Sequence, residues 1–176
     1  VTTPPFDTPA SIPTARDIAI VSAQLGRPAR NVIGIAARCV CGAPTVVSTK
    51  PRLEDGTPFP TLYYLSSPAA TAAVSTLEAT GVMPELAELL VGEVRDAYLA
   101  AHEAYLEDRN GIQFVEELDG ISAGGMPTRV KCLHALVAHS LSAGAGVNPI
   151  GDLALERATW SPEVCECIDY ELTGQA

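Results

Sequence analysis

The sequence predicts an α+β domain, with a small three-stranded antiparallel meander packed against several helices. Three observations point there. The first is a run of short β-branched segments between residues 32 and 65, punctuated by glycine and proline turns. The second is helical periodicity over most of the remaining chain. The third is the order of these segments: one helix, then strands, then helices, which is the α+β pattern with helices on one sheet face rather than alternating βαβ units.

Each element has a local reason. Thr14 and Asp17 have capping-box spacing, with Asp in place of Glu. Ile18, Val21, Ser22 and Leu25 follow at helical spacing until Gly26-Arg27-Pro28 ends the helix. From Val32 to Ala37 the pattern becomes a strand. Cys39 to Pro44 is a tight turn, and Thr45 to Thr49 returns as a second strand. The Asp55-Gly56 signal turns the chain again, and Thr61 to Leu65 is the third strand. Pro68 to Thr80 is an Ala-rich helix that Gly81 stops. A longer helix runs from Pro84 to about Asn110, with Gly92 as a potential break and His102 placed on its surface. Pro127 to Ser142 reads as a helix that begins at its proline. Residues 147–152 form a turn, and a short helix follows over Leu153 to Ala158. The expected organisation is a Pro/Thr-rich leader over residues 1–13, a single domain over 14–158 and a tail over 159–176.

Composition limits the function. Aromatic residues are only 5%, so aliphatic side chains must fill the core. A formal net charge of −10 argues against a general nucleic-acid binder, which needs a basic face. No apolar run approaches the roughly 20 residues needed to span a bilayer. The N-terminal stretch lacks the basic start and apolar core of a signal peptide, so the expected location is the cytoplasm. The five cysteines are then expected as free thiols, metal ligands or redox groups rather than structural disulfides.

The chemistry concentrates in Gly124-Gly125-Met126-Pro127-Thr128-Arg129-Val130-Lys131-Cys132-Leu133-His134. Glycines that permit close approach, free N–H groups at a helix start and two cations would suit a phosphate or carboxylate. Gly124, Gly125, Arg129 and Lys131 are therefore the candidate anion-binding residues; the P-loop spacing is absent. Cys132, His134, His139 and Asp152 are the candidate catalytic groups for acid–base or nucleophilic work. On one regular helix Cys132 and His139 would lie about 20° apart and ~10 Å along the axis, while His134 would lie nearly opposite Cys132. A metal would then need ligands from elsewhere. Cys39-x-Cys41 in the hairpin turn is the natural source, and Cys165-x-Cys167 offers a second pair. Zinc and an iron–sulfur cluster are the candidate cofactors, and Cys39, Cys41, Cys132 and His134 the candidate metal ligands. Two functions lead: an enzyme or sensor for a small phosphate-bearing or carboxylate ligand, and a non-catalytic interaction protein with structural Cys/His residues that docks a protein partner. A third is a thiol redox module using Cys39 and Cys41, although CxC is not the thioredoxin-like CxxC.

The segments Arg38 to Gly42, Gly56 to Leu65, Gly124 to His139 and Val147 to Asp152 resemble domain-of-unknown-function family 501, over about Asp17 to Leu155. Lys131-Cys132-Leu133-His134 and Gly56 to Thr61 are the specific part. The resemblance implies a cytoplasmic, mainly actinobacterial protein. It singles out Cys39, Arg129, Lys131, Cys132, His134, His139, Asn148 and Asp152. It leaves Cys165 and Cys167 outside its span, and so implies Cys39 with Cys132 and one or both histidines as the metal set.

Overall fold

The computed structural model describes residues 10–167. Its elements are α1 (Ala15–Leu25), β1 (Val32–Arg38), β2 (Pro44–Thr49), β3 (Tyr63–Leu65), α2 (Pro68–Ala79), α3 (Val82–Glu88), α4 (Gly92–Ile112), a 3-10 turn (Glu116–Leu118), α5 (Leu133–Ala143) and α6 (Pro149–Arg157). The expected α+β fold and meander are both present: β1, β2 and β3 pair antiparallel in sequence order. Residues 1–9 of the expected leader and 168–176 of the tail lie outside the described residues.

Every residue of β2 is buried, because both faces of the central strand are covered. Val46 joins the main core with Leu65, Leu136 and Val137. Val47 points to a smaller cluster with Val21 of α1 and Ile35 of β1. The helices therefore do not all pack on one face: α1 covers the opposite side of the sheet. The reciprocal Thr14–Asp17 capping box fixes its start, with Asp17 N–H donating to Thr14 Oγ1 at 3.1 Å and Thr14 N–H to Asp17 Oδ2 at 2.9 Å.

Gly92 does divide the long helical segment, into α3 and α4. On α4, Tyr98, Ala101, His102, Tyr105 and Arg109 form one buried stripe at helical spacing. Tyr105 ties that stripe to the strand layer, because its hydroxyl accepts the Leu62 N–H at 2.6 Å. His102 is thus inside rather than on the surface, with Nδ1 2.8 Å from Ser122 Oγ.

α6 begins at Pro149, inside the segment expected as a turn, because Asn148 caps it by accepting the Gly151 N–H at 3.0 Å. α5 and α6 cross closely at Gly151: a Cβ there would lie 2.3 Å from the Leu136 carbonyl oxygen, so only glycine lets the two backbones approach. Two described residues outside the expected 14–158 domain also pack onto it. Ser11 bridges to Ile35 of β1, and Trp160 is buried in the main core.

Candidate functional sites

The segment from Gly124 to Lys131 is not a helix start. Gly124 and Gly125 both have positive φ, 69° and 96°, and the chain closes a loop on itself. Arg129 N–H donates to the Gly125 carbonyl at 2.9 Å, and Lys131 N–H to the Gly124 carbonyl at 2.8 Å. A Cβ on Gly125 would lie 2.6 Å from the Arg129 oxygen, so the loop needs glycine there. The N–H groups that an anion would use at Arg129 and Lys131 are spent on these bonds. The two side chains stand exposed on the outside.

The helix begins six residues later than expected, at Leu133, and its N-terminus already holds a carboxylate. Glu78 of α2 accepts the Leu133 N–H at 2.7 Å through Oε1. Cys132 is the residue before the helix, with extended backbone (φ −147°, ψ 108°). The helical geometry that separated Cys132 from His134 therefore does not apply, and one ligand atom from each of Glu78, Cys132 and His134 lies within 4.8 Å of the others. His134 Nδ1 is 3.3 Å from Glu78 Oε1, while Nε2 is 3.0 Å from Ser75 Oγ and 3.3 Å from the Thr71 carbonyl. The hydrogen bond from His134 lowers the Cys132 thiol pKa below its ordinary value, and the same bond, with the Glu78 charge, raises that of His134. Sequence reasoning missed Glu78, Ser75 and Thr71. The signal was available: the three stand at i, i+4 and i+7, a polar stripe on an otherwise Ala-rich helix.

The other two candidate catalytic groups stand apart from this cluster in role. Asp152 accepts the Gly146 N–H at 2.7 Å, closing the loop between α5 and α6. His139 is completely buried between Tyr63, stacked at 5.8 Å, and Tyr105, edge-on at 5.2 Å. Asn148 Nδ2 faces its Nδ1 at 3.2 Å and can only donate, so Nδ1 accepts and Nε2 carries the proton. Burial drives the His139 pKa down to about 4. The unfolded chain, with an ordinary value near 6.5, binds that proton first. Stability from this group is therefore complete above about pH 6.5 and is lost as pH falls towards 4. The expected loss between pH 7.5 and pH 5 is about 2 kcal/mol. Urea unfolding of the chain and of His139→Phe at both pH values checks it: the variant should show a flatter pH dependence, and an equal slope would sink the assignment. His134, whose pKa is raised, acts with the opposite sign in both proteins and cancels in the comparison.

The hairpin turn builds a second, separate cluster. Cys39 N–H donates to the Ala43 carbonyl at 2.9 Å, and Gly42 N–H to the Cys39 carbonyl at 2.8 Å. Arg38 braces the turn from the side. Its guanidinium donates to the Gly42 carbonyl at 2.9 Å and holds Asp17 in a two-point ion pair at 2.6 and 3.0 Å. That pairing keeps the Asp17 carboxyl far below the usual carboxylate range. The chain beyond Trp160 then brings Cys165 and Cys167 onto the turn, and the thiol sulfurs of Cys39, Cys41, Cys165 and Cys167 all lie within 4.8 Å of one another. A cavity of about 510 Å³ opens beside them, lined in part by Arg16, Asp17 and Arg38. The Ala43 N–H pulls the Cys41 thiol down to about 7, while burial pushes Cys39 and Cys167 up. Four thiols this close cannot all ionise without a cation between them. The expected pairing of Cys39 with Cys132 and the histidines is not formed: Cys39 groups with the other three cysteines, because the tail, not α5, reaches the hairpin turn.

Fold and clusters together define a small α+β protein with two separate groups of side chains of metal-ligating type. The chain belongs to the family described as Protein of unknown function (DUF501), which matches residues 35–156. That stretch contains Cys39, Cys41, Glu78, Cys132 and His134, and it ends before Cys165. No curated protein and no solved structure matches the chain. Among the described residues no helix is long and apolar enough to cross a membrane.

Proposed function

We propose that this chain is a zinc protein whose centre is the closed four-thiolate set Cys39, Cys41, Cys165 and Cys167, and that it acts as a non-catalytic interaction protein. The observation that carries this reading is the convergence of all four sulfurs within 4.8 Å. Tetrahedral thiolates 2.3 Å from one zinc ion sit ~3.8 Å apart. A single ion therefore suits the spacing better than an iron–sulfur cluster, whose irons and sulfides would hold the thiolates wider apart. Four protein ligands leave no open position for water or substrate, which is the mark of a structural site. Exposed Val40 lies between Cys39 and Cys41 and exposed Val164 precedes Cys165, so each thiol pair carries an apolar side chain that a protein partner could cover.

Metal analysis of chain purified without added metal tests the centre. One zinc per chain should be present that the double substitution Cys165→Ser/Cys167→Ser removes. Iron with inorganic sulfide, or no zinc that depends on these cysteines, would overturn the reading. The interaction role is tested with the zinc-loaded chain, by asking whether Val40→Asp/Val164→Asp abolishes a partner complex while leaving the zinc in place.

A further inference from the structure

We infer that Glu78, Cys132 and His134 form a second divalent-metal site, one that takes a zinc-type cation on three protein ligands and keeps its fourth position open. The argument starts from the two ring nitrogens of His134. Nε2 faces the Thr71 carbonyl at 3.3 Å. A carbonyl oxygen only accepts, so Nε2 carries a proton, and Ser75 Oγ at 3.0 Å can share it. On the neutral imidazole Nδ1 is then the nitrogen with the lone pair, and it faces Glu78 Oε1, another acceptor, at 3.3 Å. Two acceptors at that distance repel unless a proton or a metal ion lies between them, and 3.3 Å is the separation that two ligand atoms about 2 Å from one zinc ion would have. The Cys132 sulfur completes the same small volume, with all three ligand atoms within 4.8 Å of one another.

Several features select a metal for that position. A histidine that binds a metal through one nitrogen commonly donates the other N–H to a backbone carbonyl, which fixes its tautomer and orientation; Thr71 does this here. Carboxylate and thiolate supply two negative charges, which balance a divalent cation with a neutral imidazole. A sulfur, nitrogen and oxygen donor set suits zinc, and three protein ligands with one vacancy is the pattern of open zinc sites. The His134 and Glu78 side chains are 26% and 24% exposed, so water can reach that fourth position. Glu78 and Cys132 are also held in place independently of any ion. Glu78 caps the first N–H of α5, and Cys132 is fixed as the residue that precedes it.

The inference does not depend on the four-thiolate centre, and one set of zinc measurements separates the two. The full 176-residue chain is stripped of metal, titrated with zinc, dialysed and analysed for zinc per chain. The expected result is two zinc ions in the natural chain, one in Cys132→Ser, one in Cys165→Ser/Cys167→Ser and none in the triple variant. Glu78→Gln keeps an oxygen for the Leu133 N–H, so α5 stays capped while the anionic ligand is lost. It should weaken the second zinc about tenfold or more, with an unchanged circular dichroism spectrum. A single zinc that Cys132→Ser removes and the double variant keeps would uphold this site and reject the four-thiolate reading. A zinc count that Cys132→Ser leaves unchanged, or zinc affinities that Glu78→Gln leaves unchanged, would overturn it. His134 would then be an imidazolium paired with Glu78, a proton taking the place assigned to the metal.

Discussion

Stripping zinc from the chain should lower its melting temperature by about 8–16 °C. A ligand that binds the folded chain and not the unfolded one stabilises it by about 4 kcal/mol when its free concentration is a thousandfold above the dissociation constant. For a chain of this length each kcal/mol is worth about 2–4 °C. The loss should be concentrated in the segment after Trp160. Trp160 itself is buried in the apolar core and needs no metal to stay there. Residues 161–167 have few such contacts: Cys165 is exposed, and Cys167 reaches the turn chiefly through the sulfur cluster. Chelation should therefore expose this segment to protease before the domain melts. Scanning calorimetry with and without a strong chelator, paired with limited proteolysis, checks both parts. In Cys165→Ser/Cys167→Ser the chelator should change the melting temperature much less. A natural chain whose melting temperature and cleavage pattern ignore the chelator would remove the four-thiolate centre from consideration.

Local patterns in the sequence identified the meander and most helices because each carries its own instructions. The β-branched runs, the Asp55-Gly56 turn, the Thr14–Asp17 capping box and the break at Gly92 all act within a few residues. The start of α5 is different. Pro127 after two glycines has the look of a first helical residue, but the chain there is committed to hydrogen bonds from Arg129 and Lys131 back to Gly125 and Gly124. The true start is set from outside, by Glu78, some fifty-five residues earlier in the chain. The same limit applies to both ligand clusters. Each CxC pair is visible as a half-site, but only the fold shows that the hairpin turn meets the tail rather than α5. Cys132 and His134 appeared to diverge because both were assigned to one regular helix, whereas an extended residue 132 turns the thiol towards the ring.

Residue type also misled where position was the better guide. His102 and Arg109 stand at helical spacing with Tyr98 and Tyr105, so periodicity alone places all four on the core face. A histidine was nevertheless expected at the surface, and an arginine would be expected there by default. What makes burial tolerable is partners that no local pattern reveals. The His102 ring meets Ser122, and the Arg109 guanidinium meets a ring of backbone carbonyls.

Arg109→Met should destabilise the fold by about 2–3 kcal/mol, more than a surface arginine. Arg109 is only 1% exposed. It donates to the carbonyls of Leu118, at 2.7 Å, of Ile121 and of Pro60, at 3.4 Å. It thereby fastens α4 to the segment entering β3 and to the chain after the 3-10 turn. The sign needs an argument, because burying a guanidinium is itself costly and that burial lowers its pKa. Methionine removes that cost and fills much of the volume. It does not remove the carbonyls, which stay where the backbone puts them. The Leu118 carbonyl keeps the Ile121 N–H at 3.0 Å and the Pro60 carbonyl keeps the Tyr105 hydroxyl at 3.3 Å. Among the described residues the Ile121 carbonyl is left without a donor, and a buried acceptor so left costs about 1–3 kcal/mol. The loss of the charged hydrogen bonds to the other two carbonyls adds to that cost, and together they outweigh the relief. Arg109→Lys keeps the charge but has one ammonium in place of a fork, reaches fewer of the three oxygens and should recover less than half of the loss. Urea unfolding of the three proteins gives the order natural chain, Lys, Met. A Met variant within 1 kcal/mol of the natural chain would mean that water reaches those carbonyls and that the guanidinium is not the fastening between α4 and β3.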